Sequence, residues 1–151
     1  MGELEVYVLA DRCVGLPAGA WHYESHAHAL HPMPTDGGLR EMLLLNAQNS
    51  LAADSRPQIL LIVTARHERL LWKYSSIGYA LELKDLGVLF ECWYLLAAAL
   101  GIGACAIGTG DADLFARLSA LPYNQESSIG EFAIGSITQN PVFFRKEDLT
   151  S

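Results

Sequence analysis

The chain has 151 residues, of which 51% are hydrophobic and 18% charged, and its 10 Lys plus Arg against 17 Asp plus Glu give a net charge of −7. That length predicts one domain over residues 1–151, the apolar share excludes a disordered tail, and the acidic balance excludes a nucleic-acid groove because nothing could neutralise a run of phosphates. So much apolar surface is hard to cover in one small monomer, so an oligomer or a partner chain is expected to cover part of it.

The opening residues are acidic and alternating and do not read as a signal peptide. Leu4–Ala10 alternates and is rich in β-branched and aromatic residues, which predicts a strand. Gly15–Gly19 predicts a turn, and Ala20–Glu24 with His28–His31 predicts a short hairpin around Ser25 and His26. His22, His26, His28 and His31 crowd that hairpin. Zinc or copper needs several converging ligands, usually with an acidic or cysteine partner, so these histidines read as solvated and no metal is expected.

Pro32, Pro34 and Asp36–Gly38 predict a loop, and Leu39–Ala53 carries Leu and Met at helical spacing. After Arg56-Pro57 comes Gln58–Ala65, whose unbroken apolar run predicts a strand buried on both faces. Arg66–Ser75 predicts a charged helix. Glu82–Leu100, apolar almost all round, predicts a long helix in the middle of the fold or in a subunit interface. From Leu86 to Gly110 only Glu91 is charged, a stretch long enough to cross a bilayer. Gly101, Gly103, Gly108 and Gly110 interrupt it, and no basic cluster flanks it. It therefore reads as a helix followed by a buried strand, Ala104–Ile107. Asp111–Ala120 predicts a helix capped by Asp111, and Ile129–Ile137 a last strand, giving a mixed α and β order around one sheet. The cysteines Cys13, Cys92 and Cys105 are odd in number and lack a C-x-x-C pair. Neither a disulfide framework nor a zinc ribbon fits, and a reducing cytoplasm is the expected location.

Two segments carry chemical potential. The glycine run from Gly101 to Gly110 follows a helix and precedes a strand, the reverse of a dinucleotide-binding turn. Gly101 is expected to end the long helix. Gly108, Thr109 and Gly110 then form either a plain turn or a loop whose amides approach a flat ring or an anion. In the second segment Lys73 lies beside Tyr74 and one helical turn after Arg69. A phenol with an ammonium beside it can supply a base near neutral pH. The alternative is a surface helix anchored by Trp72.

The stretch Trp72–Ala80, reading Trp-Lys-Tyr-Ser-Ser-Ile-Gly-Tyr-Ala, followed by Leu86–Gly108 with its Leu-Gly-Ile-Gly-Ala-Cys-Ala-Ile-Gly end, resembles the SagB-type dehydrogenases. These are a branch of the FMN-dependent nitroreductase superfamily that includes azoline oxidases. The resemblance extends upstream through Leu4–Leu9, Gly15–Glu24 and His28–Leu30, and downstream through Asp111–Pro122 to Glu131–Ser136. It implies an α+β nitroreductase-like sheet with a long central helix at a dimer interface, and FMN at that interface. It implies that Lys73 and Tyr74 are catalytic, that Ile107, Gly108 and Thr109 approach the isoalloxazine ring, and that Arg145 and Lys146 reach the FMN phosphate. The implied reaction is oxidation of an azoline or a similar small or peptidic substrate in a biosynthetic pathway. Against that family the chain corresponds to the C-terminal two thirds. The arginine- and serine-bearing segment that grips the phosphate in family members is therefore expected from a partner, in a homodimer or a hetero-complex. The alternatives are a non-catalytic subunit that scaffolds a biosynthetic complex, and a nitroreductase-like enzyme fed by a nicotinamide.

Overall fold

The computed structural model describes residues 2–74 and 77–137. The elements run β1 (Leu4–Ala10), β2 (Gly19–Glu24), β3 (Ala29–Pro32), α1 (Gly37–Ser50), β4 (Ile59–Arg66), α2 (Glu68–Tyr74), α3 (Gly78–Leu100), β5 (Ile102–Ile107), α4 (Ala112–Ser119) and β6 (Glu126–Ser136). The six strands form one sheet in the order β3-β2-β1-β4-β6-β5, and every neighbouring pair is antiparallel.

Alternation along the strands divides the side chains between two faces. On one face Tyr7 and Leu9 of β1, Leu60 and Ile62 of β4 and Ala133 of β6 form the main core with Leu43, Leu44 and Ala47 of α1 and Leu114, Phe115 and Leu118 of α4. On the other face Phe132 meets Phe90, Trp93 and Tyr94 of α3, with ring centroids 4.9–5.3 Å apart. Gly130 is what lets α3 approach so closely: a Cβ there would lie 2.8 Å from Leu86 Cδ2 and 2.9 Å from Phe90 Cζ. The apolar run of β4 is buried on both faces, as its composition predicts, because β4 lies between β1 and β6 with helices above and below.

Helix ends follow local chemistry. Asp36 accepts a hydrogen bond from the Gly38 amide at 2.8 Å at the head of α1. The Asp111 carboxylate accepts from the Leu114 amide at 2.8 Å at the head of α4, as predicted. Gly101 closes α3 at φ 66°, a left-handed conformation that a side chain would strain.

Several bounds differ from the sequence expectation. Helix α3 starts at Gly78 rather than Glu82, and α1 covers Gly37–Ser50. Arg66 closes β4 instead of opening a helix. Strand β5 starts at Ile102, and β6 starts at Glu126, three residues before the apolar pattern begins. The extra residues of β6 are polar, yet Glu126 is satisfied inside the fold. It accepts from Tyr7 Oη at 2.7 Å, Thr64 Oγ1 at 2.6 Å and Arg66 Nε at 2.9 Å. Burial and the bond to Glu126 push the Tyr7 phenol well above its usual range. The β4–β6 register shifts midway: Val63 pairs with Gly130 and Thr64 with Ser128, leaving Ile129 without a partner.

Helix α3 is not enclosed by the described residues. Its buried residues are Gly78, Glu82, Leu86 and Ala97, while Val88, Leu95, Leu96 and Leu100 are exposed. Glu91 is exposed among the described residues as well. Among the described residues no helix is long and apolar enough to cross a membrane.

Candidate active site

Strand β5 leads into the loop Gly108–Asp111 and then into α4. This loop borders a cavity of about 270 Å³. Leu86, Phe90 and Tyr79 of α3 line one side of it, and Ser128, Ile129 and Gly130 of β6 line another. Ile107, Gly108 and Gly110 complete the wall. Two of the three sequence-predicted ring-contacting residues, Ile107 and Gly108, thus meet at one cavity. A Cβ on Gly108 would touch nothing within 4 Å, so the backbone there faces open space. Side chains of Leu86, Phe90 and Ile129 beside exposed glycine backbone give this cavity mixed apolar and polar walls.

Thr109 points to the other side of the loop. Its hydroxyl donates to Ser50 Oγ at 2.8 Å, and it lines a larger, polar cleft of about 450 Å³ with Asn46, Asn49, Asp111, Asp113 and Tyr123. No Lys or Arg lines either space among the described residues. Neither space therefore offers a described cation to a phosphate. Arg145 and Lys146, the expected phosphate ligands, lie outside the described residues.

Behind the loop stands Glu131, a residue that pattern reading missed. It sits opposite Ile62 of β4 and Ile107 of β5 and is buried. Its Oε1 accepts from the Asp111 amide at 3.4 Å, and a Cβ on Gly110 would lie 3.1 Å from that same oxygen. Burial, aided by the charge of Asp111, raises the Glu131 carboxyl to about 7 against the partial relief of the Asp111 amide. The available signal was a single acid inside the otherwise apolar run Ile129–Ile137.

Lys73 and Tyr74 close α2, four residues before α3 begins. They touch each other: Lys73 Nζ lies 5.1 Å from the centre of the Tyr74 ring, a cation–π geometry. Lys73 is exposed and Tyr74 half-buried, and neither lines the loop cavity. Tyr79, five residues after Tyr74, does line it, and five residues span at most about 18 Å. Two expectations are corrected here. Trp72 does not anchor α2, being 79% exposed, whereas Leu70 at 1% is the buried contact; two residues apart on a helix point to nearly opposite sides. Arg69 does not crowd Lys73 either, because its guanidinium turns to Glu5 at 3.3 Å and to the Gly2 carbonyl.

The histidines disperse. His22 bonds Glu5 at 3.1 Å and stacks on Tyr7, while His28 bonds Tyr23 at 2.8 Å. Among the described residues no group of three or more His, Cys, Asp or Glu could hold a metal ion. His67 is different. Its Nδ1 lies 3.0 Å from Glu82 Oε2 and its Nε2 lies 2.9 Å from Ser127 Oγ.

Comparison with known proteins places this geometry. A Methanocaldococcus jannaschii protein classed as a nitroreductase is 29% identical over 105 residues, which cover 70% of this chain and 52% of the relative. The chain thus spans about half the length of that curated relative. Among solved structures, an Anabaena variabilis protein classed as a nitroreductase superposes with TM-score 0.75 at 24% identity, covering 89% of this chain and 27% of its own. The E. coli microcin synthetase McbBCD complex with truncated pro-MccB17 bound contains a chain that superposes with TM-score 0.74 at 21% identity, covering 91% of this chain and 53% of that one. Both structures share the α+β fold described above. The Nitroreductase family itself matches residues 6–136, from β1 to the last residue of β6, and the chain belongs to that family.

Proposed function

We propose that this chain is an FMN-dependent oxidoreductase of the SagB type that oxidises an azoline or a similar small or peptidic substrate in a cytoplasmic biosynthetic pathway. The reading takes residues 1–151 as one nitroreductase-like domain, working as a homodimer or in a hetero-complex whose other chain completes the FMN site. The observation that carries it is the cavity edged by Ile107, Gly108 and Gly110, in a chain of the nitroreductase family that also joins Lys73 to Tyr74. The likeness in fold to a chain of a microcin synthetase complex is consistent with work in a hetero-complex.

In this reading Leu86, Phe90 and Ile129 would shield a bound flavin from water, and the Gly108–Gly110 backbone would offer it polar groups. Tyr74 Oη takes a proton from the carbon next to the azoline heteroatom, with the Lys73 ammonium beside it balancing the charge. FMN, when bound, supplies the two-electron acceptor. Thr109, tied to Ser50, fixes the loop from the far side.

A scaffold reading has one observation in its favour. The space next to the loop presents Asp111 and Asp113 and no described cation, which disfavours a phosphate. Titration of the purified chain with FMN, followed by absorbance and fluorescence quenching, tests both. Uptake of flavin, and its anaerobic reduction by an azoline-bearing peptide, support the proposal. Tyr74→Phe and Lys73→Ala should then slow that reduction by roughly 10²–10⁴ while changing stability by less than about 1 kcal/mol. Variants that reduce flavin at the parental rate overturn the catalytic assignment. Failure to take up FMN with every candidate partner present decides for the scaffold.

A further inference from the structure

The mechanism just proposed leaves the His67 cluster unused. Glu82, in the second turn of α3, is fully buried. A carboxylate so placed is costly unless a donor meets it. His67 Nδ1 does so at 3.0 Å, and its Nε2 reaches Ser127 Oγ on β6 at 2.9 Å. The distances match those of a serine nucleophile, a histidine and a carboxylate. Yet Ser127 is buried within an 11-residue strand, and no described cavity reaches it. Among the described residues Ser127 Oγ is thus turned to His67 and not presented to a substrate, and the constellation does mechanical work.

What it supports is the corner between β4 and α2. His67 stands between Arg66, the last residue of β4, and Glu68, the first of α2. Its carbonyl accepts from the Leu70 amide at 3.1 Å and the Leu71 amide at 2.9 Å, so the helix starts on it. Helix α2 has only seven residues and buries only Leu70. So short a helix does not hold its own geometry in water. Two hydrogen bonds on opposite ring nitrogens fix the plane of the imidazole, and the backbone it belongs to carries α2.

We propose that His67, clasped between Glu82 and Ser127, is a positioning residue that sets α2 and thereby the placement of Lys73 and Tyr74. This rests on the catalytic role given above to Lys73 and Tyr74.

Hydrogen exchange read by mass spectrometry on the full chain gives a measure independent of flavin and of turnover. In His67→Ala the Leu70 and Leu71 amides should exchange at least ten-fold faster than in the parent, with β1 and β5 amides unchanged. His67→Asn, whose side-chain amide can still donate to Glu82, should restore most of the protection. Should His67→Ala fail to fold, Ser127→Ala removes only the Nε2 contact and should give the same local response at smaller amplitude. In the FMN-loaded complex the responsive variants should lower kcat at least ten-fold and leave KM within about two-fold. Unchanged exchange at Leu70 and Leu71, or faster exchange with unchanged kcat where Tyr74→Phe is slow, overturns the positioning role. Faster exchange with Lys73→Ala and Tyr74→Phe both at the parental rate overturns the catalytic reading instead and leaves the clasp intact.

Discussion

Glu131 couples the neighbourhood of the loop cavity to pH. Its carboxyl loses a proton near 4.5 in the unfolded chain and at about 7 in the folded one. Between those values the folded state keeps a proton that the unfolded state has released, so stability falls as pH rises through that window and levels off above it. The shift corresponds to roughly 3 kcal/mol. Glu131→Gln keeps the shape and removes the titration. Urea melts at pH 5 and pH 8 should show the parent losing stability between them by more than the variant does; identical losses would contradict the assignment. Single residues were unevenly legible in the sequence. Asp111 as a cap and Gly101 as a stop follow from local rules, because the partner groups lie within one helical turn. Glu131, Glu82 and Glu126 do not, because what makes them tolerable in the interior is a group far away in the chain, such as Tyr7 for Glu126.

At the scale of elements, α3 is the one whose sequence asks for more than the described residues provide. Val88, Leu95, Leu96 and Leu100 lie exposed along it, and apolar surface of that kind is a docking face or an aggregation hazard. Light scattering at micromolar concentration is expected to show a dimer or, with the right partner, a hetero-complex. Leu95→Lys should shift the mass towards the monomer with helical content intact; a soluble parental monomer would remove the basis for the interface. The strand and helix types were read correctly from period and composition, since those depend on which side of each element is apolar. Bounds were missed where tertiary contacts extend an element beyond its apolar run. Strand β6 reaches back to Glu126 because Tyr7, Thr64 and Arg66 meet that carboxylate. The cavity itself was legible at Ile107, Gly108 and Gly110 but not on its other walls, because Tyr79, Leu86 and Phe90 reach it through the packing of α3 on β6.

For the whole molecule, the same Glu126 joins the first strand to the last across 119 residues of chain. Glu126→Ala would leave Tyr7 Oη and Thr64 Oγ1 without their buried acceptor, while Arg66, whose Nε also lies 3.3 Å from Glu5, keeps a partner. A loss of about 1–3 kcal/mol is expected, read as a lower urea midpoint; an unchanged midpoint would show that water replaces the carboxylate. The register shift at Ile129 has a consequence of a different kind. Downstream of it, even-numbered Gly130 and Phe132 face α3. Upstream, odd-numbered Ser127 faces the same helix through His67, while Glu126 faces Tyr7. Strand β6 is therefore written in two phases, and Ile129 is the spacer between them. A substitution there alters one side chain at the cavity. Deletion of the same residue would force the two phases into one and turn every upstream side chain to the wrong side of the sheet, so that Ser127 would leave His67 and Glu126 would leave Tyr7 together. Segment length at this point is under tighter constraint than residue identity.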